Sequence, residues 1–181
     1  MINKKFLSFA VLIGAVCAGL GIYAGNVHST PDTPQSGAVK QLMSKSLPDA
    51  SGKPHALAQY SNQLLIVNFW ATWCKPCVQE MPELSELQNE LKSKKVQILG
   101  LGIDSPSNII EFTQKYPVSY PIFVAGLDGS ELSRQLGNQA GGLPFTVMLD
   151  AQGKLVKTYL GRLKMQELKA DIAKYSAEKS K

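Results

Sequence analysis

Two cysteines, Cys74 and Cys77, have the type and spacing needed for redox chemistry. They stand in the segment WCKPC, with two residues between them, shortly after an apolar run that ends at Trp70. A pair at this spacing can open and close a disulfide bond, and the thiolate of one cysteine can attack a disulfide in another molecule. The pattern therefore predicts a site of thiol–disulfide exchange.

The residues after the pair indicate a helix that would position it. From Lys75 to Lys94, apolar side chains recur at intervals of three and four, at Val78, Met81, Leu84, Leu87 and Leu91. Cys74 would stand at the N-terminus of this helix, where unpaired N–H groups and a partial positive charge favour the thiolate. We expect Cys74 to be the exposed nucleophile and Cys77, one turn further in, to be the resolving thiol.

The alternative to a redox function is that the two cysteines bind a metal or attach a haem. A zinc site needs four ligands, but the chain has no second cysteine pair, and His28 and His55 fall in a predicted linker and a predicted hairpin. Haem attachment would need a histidine directly after Cys77, where the chain has Val78. The sequence therefore predicts no metal and no cofactor.

The flanking segments predict an α/β domain. The unbroken apolar run at 64–70 and the run at 96–104 are typical of buried strands. Further elements are predicted as a hairpin within 46–60, helices at 107–116, 130–136 and 164–175, a strand at 121–125, and a hairpin formed by 145–150 and 154–160. This order implies a mixed sheet covered by helices on both faces.

The N-terminal residues predict export. Residues 6–24 carry no charge and follow Lys4 and Lys5; as a helix these 19 residues would be about 28 Å long, enough to span a bilayer core. We expect residues 1–25 to be a membrane anchor, with a cleaved signal peptide as the alternative, and Cys17 to be an apolar filler within it. Residues 26–41 are predicted to be a flexible linker, and 42–181 the folded domain.

The protein would thus be anchored in the inner membrane facing the periplasm, or periplasmic if the segment is cleaved. The formal net charge of +5 includes Lys4 and Lys5, and no basic run is interleaved with aromatic residues, so nucleic-acid binding has no support. We expect a monomer that associates with the membrane through its N-terminus.

The segment VNFWATWCKPCVQEMPEL, residues 67–84, resembles the active-site segment of the TlpA/ResA-like branch of the thioredoxin superfamily. The resemblance extends more loosely over residues 42–175. It implies a thioredoxin-like three-layer fold with a central mixed sheet, an N-terminal β-hairpin and a central insert. It also implies an exported reductase that keeps selected protein thiols reduced, often those of apocytochromes c.

The resemblance assigns roles to three further residues. Pro144, in GGLPFT, matches the cis-proline of the family, and the preceding peptide, at Leu143, would lie beside the nucleophile and bind the client chain as an added strand. Glu80 matches the glutamate that, in the family, tunes thiol ionisation and relays protons. The alternative is a structural role, because the helix dipole favours an acidic residue in the first turns of a helix.

Two residues near the motif refine this expectation. Asn68 stands where typical thioredoxins carry a buried aspartate, and an amide cannot accept the proton of Cys77, so Glu80 becomes the expected general base. Trp73 is expected to shield the thiols and to contribute to client binding, whereas Trp70 is expected to be plain core.

The sequence thus predicts a protein that reduces protein disulfides and is itself returned to the dithiol form by a membrane electron donor. Three alternatives stay open: an oxidant that donates disulfides, a thiol peroxidase, and a copper chaperone of related fold. A peroxidase would need an arginine beside its cysteine, and Arg134 and Arg162, the two arginines of the chain, are distant from the motif in sequence. A copper chaperone would need a wider cysteine spacing.

Overall fold

The computed structural model describes residues 34–177. Five α-helices are described in this range: α1 (Pro34–Ser44), α2 (Lys75–Glu90), α3 (Pro106–Lys115), α4 (Gly126–Gln135) and α5 (Met165–Ala177). Seven strands accompany them: β1 (Ser46–Pro48), β2 (Pro54–Ala56), β3 (Leu64–Trp70), β4 (Val96–Gly102), β5 (Ile122–Val124), β6 (Phe145–Leu149) and β7 (Leu155–Leu160). A 3₁₀ turn, Leu57–Tyr60, joins β2 to the loop before β3.

The main sheet has the strand order β5-β4-β3-β6-β7. Its middle strand, β3, pairs in parallel with β4 and antiparallel with β6, so the sheet is mixed. All seven residues of β3 are buried, as expected of an apolar run covered on both faces. Parallel β3, β4 and β5 end at the same edge of the sheet, and the residues that follow them therefore lie along that edge.

Helices cover both faces of this sheet and create two apolar cores. One core joins Ile66 and Trp70 of β3 to side chains of α2, α3 and α5, including Leu84, Ile109 and Leu168. The other joins Val67 and Phe69 to side chains of α1 and α4, including Val39, Leu42 and Leu132. Alternate residues of β3 thus face opposite layers, which is the period of a strand. The predicted three-layer arrangement around a mixed sheet is confirmed.

Most predicted elements are confirmed with small shifts at their ends. The hairpin within 46–60 is the pair β1 and β2, whose register places Leu47 opposite His55. The run at 145–160 is the antiparallel pair β6 and β7. The helix predicted over 75–94 ends at Glu90, because Leu91–Lys94 turns towards β4.

The flexible linker predicted over 26–41 is wrong for the part that the structure describes. Pro34–Ser44 forms helix α1, and Ala38, Val39 and Leu42 are buried in the second core. These three residues have helical spacing, but the apolar stripe that they form is too short to be recognised among the polar residues around it. The predicted anchor at 1–25 and linker residues 26–33 lie outside the described residues. Among residues 34–177, no helix has the length and apolar character needed to cross a membrane.

Candidate functional site

Cys74 and Cys77 form a disulfide at the start of α2. Cys74 is the N-cap residue of the helix, and its extended backbone turns the chain from the end of β3 into the first helical turn. The Cys77 backbone N–H donates a hydrogen bond of 3.3 Å to Cys74 Sγ. The same N–H group would stabilise negative charge on the sulfur once the disulfide opens. Helix α2 thus favours the thiolate of Cys74.

The two cysteines differ in their exposure to solvent. Cys77 is fully buried, whereas 5% of Cys74 is exposed. Cys74 is less exposed than its place at the helix N-terminus predicts, because it also packs in the first core. Only Cys74 offers any surface to another molecule, and an incoming disulfide would therefore meet Cys74 first.

Trp73 is 70% exposed, and Trp70 is fully buried. The expectation that Trp70 is plain core is confirmed. Most of the Trp73 side chain contacts solvent, and its role as a shield for the thiols stays a prediction. An exposed indole next to Cys74 is suited to contact with a partner surface.

Asp104 fixes the loop that leads into Cys74. It follows β4, and its Oδ2 accepts hydrogen bonds from both the backbone N–H and the hydroxyl of Thr72. Its Oδ1 accepts from the Ser105 N–H and from Asn108 Nδ2, at 2.7 and 2.8 Å. Although partial burial raises the pKa of Asp104, these hydrogen bonds outweigh it and the net shift is downward. An ionised Asp104 thus holds the backbone two residues before Cys74.

Glu80 is fully buried beneath the first turns of α2. Its Oε1 accepts a hydrogen bond from Asn68 Nδ2, and its Oε2 accepts one from the Leu163 N–H, both at 2.8 Å. Burial raises the pKa of Glu80 from 4.5 to about 7, although both hydrogen bonds and the charge of Arg162 oppose the shift. Near neutral pH this carboxyl can therefore both accept and release a proton.

Asn68 connects Glu80 to β6. Its Nδ2 also donates to Thr146 Oγ1 at 2.9 Å, and both residues are fully buried. Asn68 lies on β3 directly opposite Thr146, which places the amide in the sheet face that α2 covers. The three side chains form a polar contact inside an otherwise apolar core.

The Leu143–Pro144 peptide is cis, as the resemblance implied. Phe145 pairs with Phe69 in the register of β3 and β6, so Leu143 and Pro144 directly precede β6 at the end of the sheet where β3 finishes. Leu143 packs against the core cluster that contains Cys74 and Cys77. The proline loop and the disulfide thus share one edge of the sheet.

In this loop the backbone carbonyl of Pro144 is hydrogen-bonded within the protein, whereas the backbone groups of Leu143 are available to a partner. The Pro144 carbonyl accepts a hydrogen bond of 2.8 Å from the Gly161 N–H. Across residues 34–177, neither the N–H nor the carbonyl of Leu143 takes part in a hydrogen bond. An extended chain could pair with these two groups as an added strand.

The six residues predicted for the site therefore lie at or beneath one end of the sheet. They are Trp73, Cys74, Cys77, Glu80, Leu143 and Pro144. The roles assigned to them stay predictions. Asp104 and Leu163 were missed; a polar residue directly after a buried strand was the available signal for Asp104, whereas Leu163 contributes only its backbone. Among the described residues, no group of three or more His, Cys, Asp or Glu side chains is arranged to bind a metal.

Comparisons with known proteins agree with this geometry. The Redoxin family model matches residues 31–175. ResA, a thiol–disulfide oxidoreductase of Geobacillus thermodenitrificans, is 32% identical over 127 residues, which cover 70% of this chain and 71% of the relative. ResA of Bacillus thuringiensis is 30% identical over 178 residues, which cover 95% of this chain and 98% of the relative.

A solved structure supports the fold. The exposed lipoprotein thioredoxin Etrx1 of Streptococcus pneumoniae superposes with a TM-score of 0.62 at 23% identity, covering 72% of this chain and 98% of the other. The described domain therefore has the thioredoxin-like fold that the resemblance implied. Together with the family match and the curated relatives, this shows that the chain belongs to the Redoxin family and is a thiol–disulfide oxidoreductase of the ResA type.

Proposed function

We propose that this protein reduces disulfides in exported client proteins, with Cys74 as the nucleophile and Cys77 as the resolving thiol. The observation that carries the proposal is the difference in access: Cys74 retains some exposure at the N-terminus of α2, and Cys77 has none. The buried sulfur is reachable only from within the protein. It is therefore suited to closing the internal disulfide.

The reaction would proceed in two exchanges. The Cys74 thiolate attacks one sulfur of the client disulfide, forms a mixed disulfide, and expels the other client sulfur as a thiolate, which takes up a proton. The Cys77 thiolate then attacks Cys74 Sγ, the Cys74–Cys77 disulfide forms, and the second client thiolate leaves. Two electrons pass to the client, and the protein ends in its oxidised state.

Glu80 is proposed to take the proton from Cys77 before the second exchange. It stands three residues beyond Cys77 on the same helix, and it is buried like Cys77. A pKa of about 7 lets the carboxylate act as a base at neutral pH and return the proton later. Asn68, which donates to Glu80, has no acidic proton to exchange and is assigned only to positioning.

The client is proposed to bind as an extended strand along Leu143. The free N–H and carbonyl of that residue supply two backbone hydrogen bonds, and the exposed Trp73 supplies apolar contact. This arrangement binds the backbone of the client and does not select for a particular client sequence. We propose apocytochrome c thiols as one class of client because the resemblance to ResA-like proteins implies them.

The cellular setting is also a proposal. Residues 1–25 would tether the protein to the inner membrane facing the periplasm, or be cleaved to release it there, and a membrane electron donor would return it to the dithiol form. The uncharged stretch at 6–24 and the basic residues before it support the tether. The protein would act as a monomer.

A trapping experiment in a bacterial host tests these proposals together. The full-length chain carrying Cys77→Ser should accumulate mixed disulfides with exported proteins that hold paired cysteines, and the Cys74→Ser chain should accumulate none. Adducts should co-fractionate with membranes if residues 1–25 are retained and with the periplasmic fraction if they are cleaved, and removal of residues 1–25 should abolish them. Adducts formed equally by both variants, or only with proteins that are not exported, would contradict the proposal.

A further inference from the structure

Asn138 is a buried polar side chain that none of the exchange steps uses. It is 2% exposed and follows helix α4 after two residues, Leu136 and Gly137. Its Nδ2 donates to the Gly142 carbonyl at 2.9 Å and contacts Ser133 Oγ at 3.4 Å. The side chain thus connects the end of α4 to the loop that carries Leu143 and Pro144.

The neighbours of Asn138 require an amide donor at this point. The Ser133 hydroxyl donates to the Ser130 carbonyl at 2.8 Å, so Ser133 Oγ can only accept a hydrogen bond from Asn138. The other neighbour, the Gly142 carbonyl, is also an acceptor. A carboxylate at position 138 would place an oxygen against both acceptors, and an alanine would leave the Gly142 carbonyl unpaired.

This contact lies directly before the peptide that is open to a client. The Gly142 carbonyl and the Leu143 N–H belong to the same peptide group, so a bond that fixes the carbonyl also fixes the direction of the N–H. On the other side, the Gly161 N–H holds the Pro144 carbonyl at 2.8 Å. Leu143 is therefore presented between two anchored groups, of which the Asn138 bond is the one made by a side chain.

We propose that Asn138 is a positioning residue that orients the Gly142–Leu143 peptide for pairing with an extended polypeptide, and so favours polypeptide disulfides over small ones. The inference rests on the proposed function, because it requires a client strand at Leu143. A preoriented N–H loses less freedom when the client binds, and this gain is available only to a substrate with a peptide backbone. A small disulfide needs Cys74 alone.

The test compares two probes on the full-length reduced protein: insulin, a disulfide-bonded polypeptide, and hydroxyethyl disulfide, which has no peptide group. The second-order rate constant of exchange is measured for each. Loss of one backbone-orienting hydrogen bond in Asn138→Ala should lower the insulin rate constant about tenfold and change that for hydroxyethyl disulfide less than about twofold. Asn138→Asp should show the same selective loss.

Two further variants complete the design. Gln139→Ala removes the neighbouring exposed amide, which donates to the Arg134 carbonyl and not to the loop, and should leave both rate constants unchanged. Ser133→Ala removes the oxygen that Asn138 Nδ2 contacts at 3.4 Å, together with the bond from Ser133 to the Ser130 carbonyl within α4, and should lower the insulin rate constant about threefold. If Asn138→Ala does not fold, Ser133→Ala decides by the same selective criterion.

The outcomes separate this inference from the function on which it rests. Equal losses for both probes, or no loss for insulin, would overturn the positioning role of Asn138 while leaving the exchange reaction intact. A wild-type protein that reacts with neither probe would reject the proposed function itself. A selective loss for insulin supports both.

Discussion

The carboxylate of Glu80 accepts a hydrogen bond of 2.8 Å from the backbone N–H of Leu163, although 83 residues separate the two in sequence. The bond ties the redox helix α2 to the turn between β7 and α5. It also explains how a carboxyl can be fully buried beneath the cysteines: each oxygen has a donor, Leu163 on one side and Asn68 on the other.

The raised pKa of Glu80 makes stability depend on pH. Between pH 4.5 and 7 the folded protein retains a proton that the unfolded chain releases, so the free energy of unfolding falls as the pH rises through this window. Glu80→Gln should abolish the fall, which amounts to about 3 kcal/mol. Guanidinium unfolding of the oxidised proteins at pH 4.5 and 8 measures the difference.

Glu86→Gln is the matched control for that measurement. It removes an exposed carboxylate from the same helix and should leave the pH dependence of wild type in place. Parallel pH curves for wild type and Glu80→Gln would show that Glu80 does not hold the raised pKa.

Asn68→Asp should destabilise the protein more at pH 8 than at pH 5. The new carboxyl would lie within hydrogen-bond distance of Glu80 in a buried site, where two negative charges repel strongly. At pH 5 one of the two acids holds a proton and can donate to the other, which relieves the repulsion. We expect a loss of about 3 kcal/mol or more at pH 8.

The comparison for Asn68→Asp is Asn89→Asp, which adds the same charge at an exposed position of α2. Its denaturation midpoint should stay close to that of wild type at both pH values. A loss in Asn68→Asp that is equal at pH 5 and pH 8 would assign the effect to packing alone.

Glu80→Gln should also change the release of the client from the mixed disulfide. If Glu80 takes the proton of Cys77, the release rate in wild type rises with pH through about 7, the pKa of Glu80. The variant should lose this inflection and release the client about a hundredfold more slowly at pH 7. Single-turnover kinetics over pH 5 to 9 provide the profile; an unchanged profile would return Glu80 to a structural role.

Trp73→Ala should weaken exchange with polypeptide clients without destabilising the fold. The ring is 70% exposed, so little of its burial is lost, but it offers apolar contact beside Cys74. We expect the rate constant for insulin to fall about fivefold and the melting temperature to stay within about 2 °C of wild type. Tyr116→Ala, an exposed aromatic at the far end of α3, should leave the insulin rate constant unchanged.

The sequence predicted those parts of the fold that rest on long apolar periods. Strand β3 is an unbroken apolar run, helix α2 has apolar residues at intervals of three and four, and the cysteines stand where the chain passes from one to the other. Helix α1 was missed because Ala38, Val39 and Leu42 form a short apolar stripe in a polar segment, and its helical state depends on packing against the second core.

The functional site likewise contains residues that the sequence predicted and residues that it did not. Cys74 and Cys77 were found from their spacing, and Pro144 and Glu80 from resemblance to a family. Asp104 and the N–H of Leu163 reach the site from segments distant in sequence, and the bond from Asn138 to the Gly142 carbonyl depends on the local shape of the proline loop. The pKa of Glu80 belongs to this second group, because it depends on burial by the sheet and on donors from β3 and the turn after β7.

Thiol counting on the full-length protein shows whether Cys74 and Cys77 pass electrons to a polypeptide disulfide. Reduced protein is mixed with insulin, free thiols are alkylated, and peptide mass spectrometry scores Cys74 and Cys77. Both cysteines should become protected from alkylation while insulin gains two thiols per molecule of protein, and Cys77→Ser should instead form an adduct through Cys74. Cysteines that stay fully alkylated while insulin stays oxidised would contradict the proposed exchange.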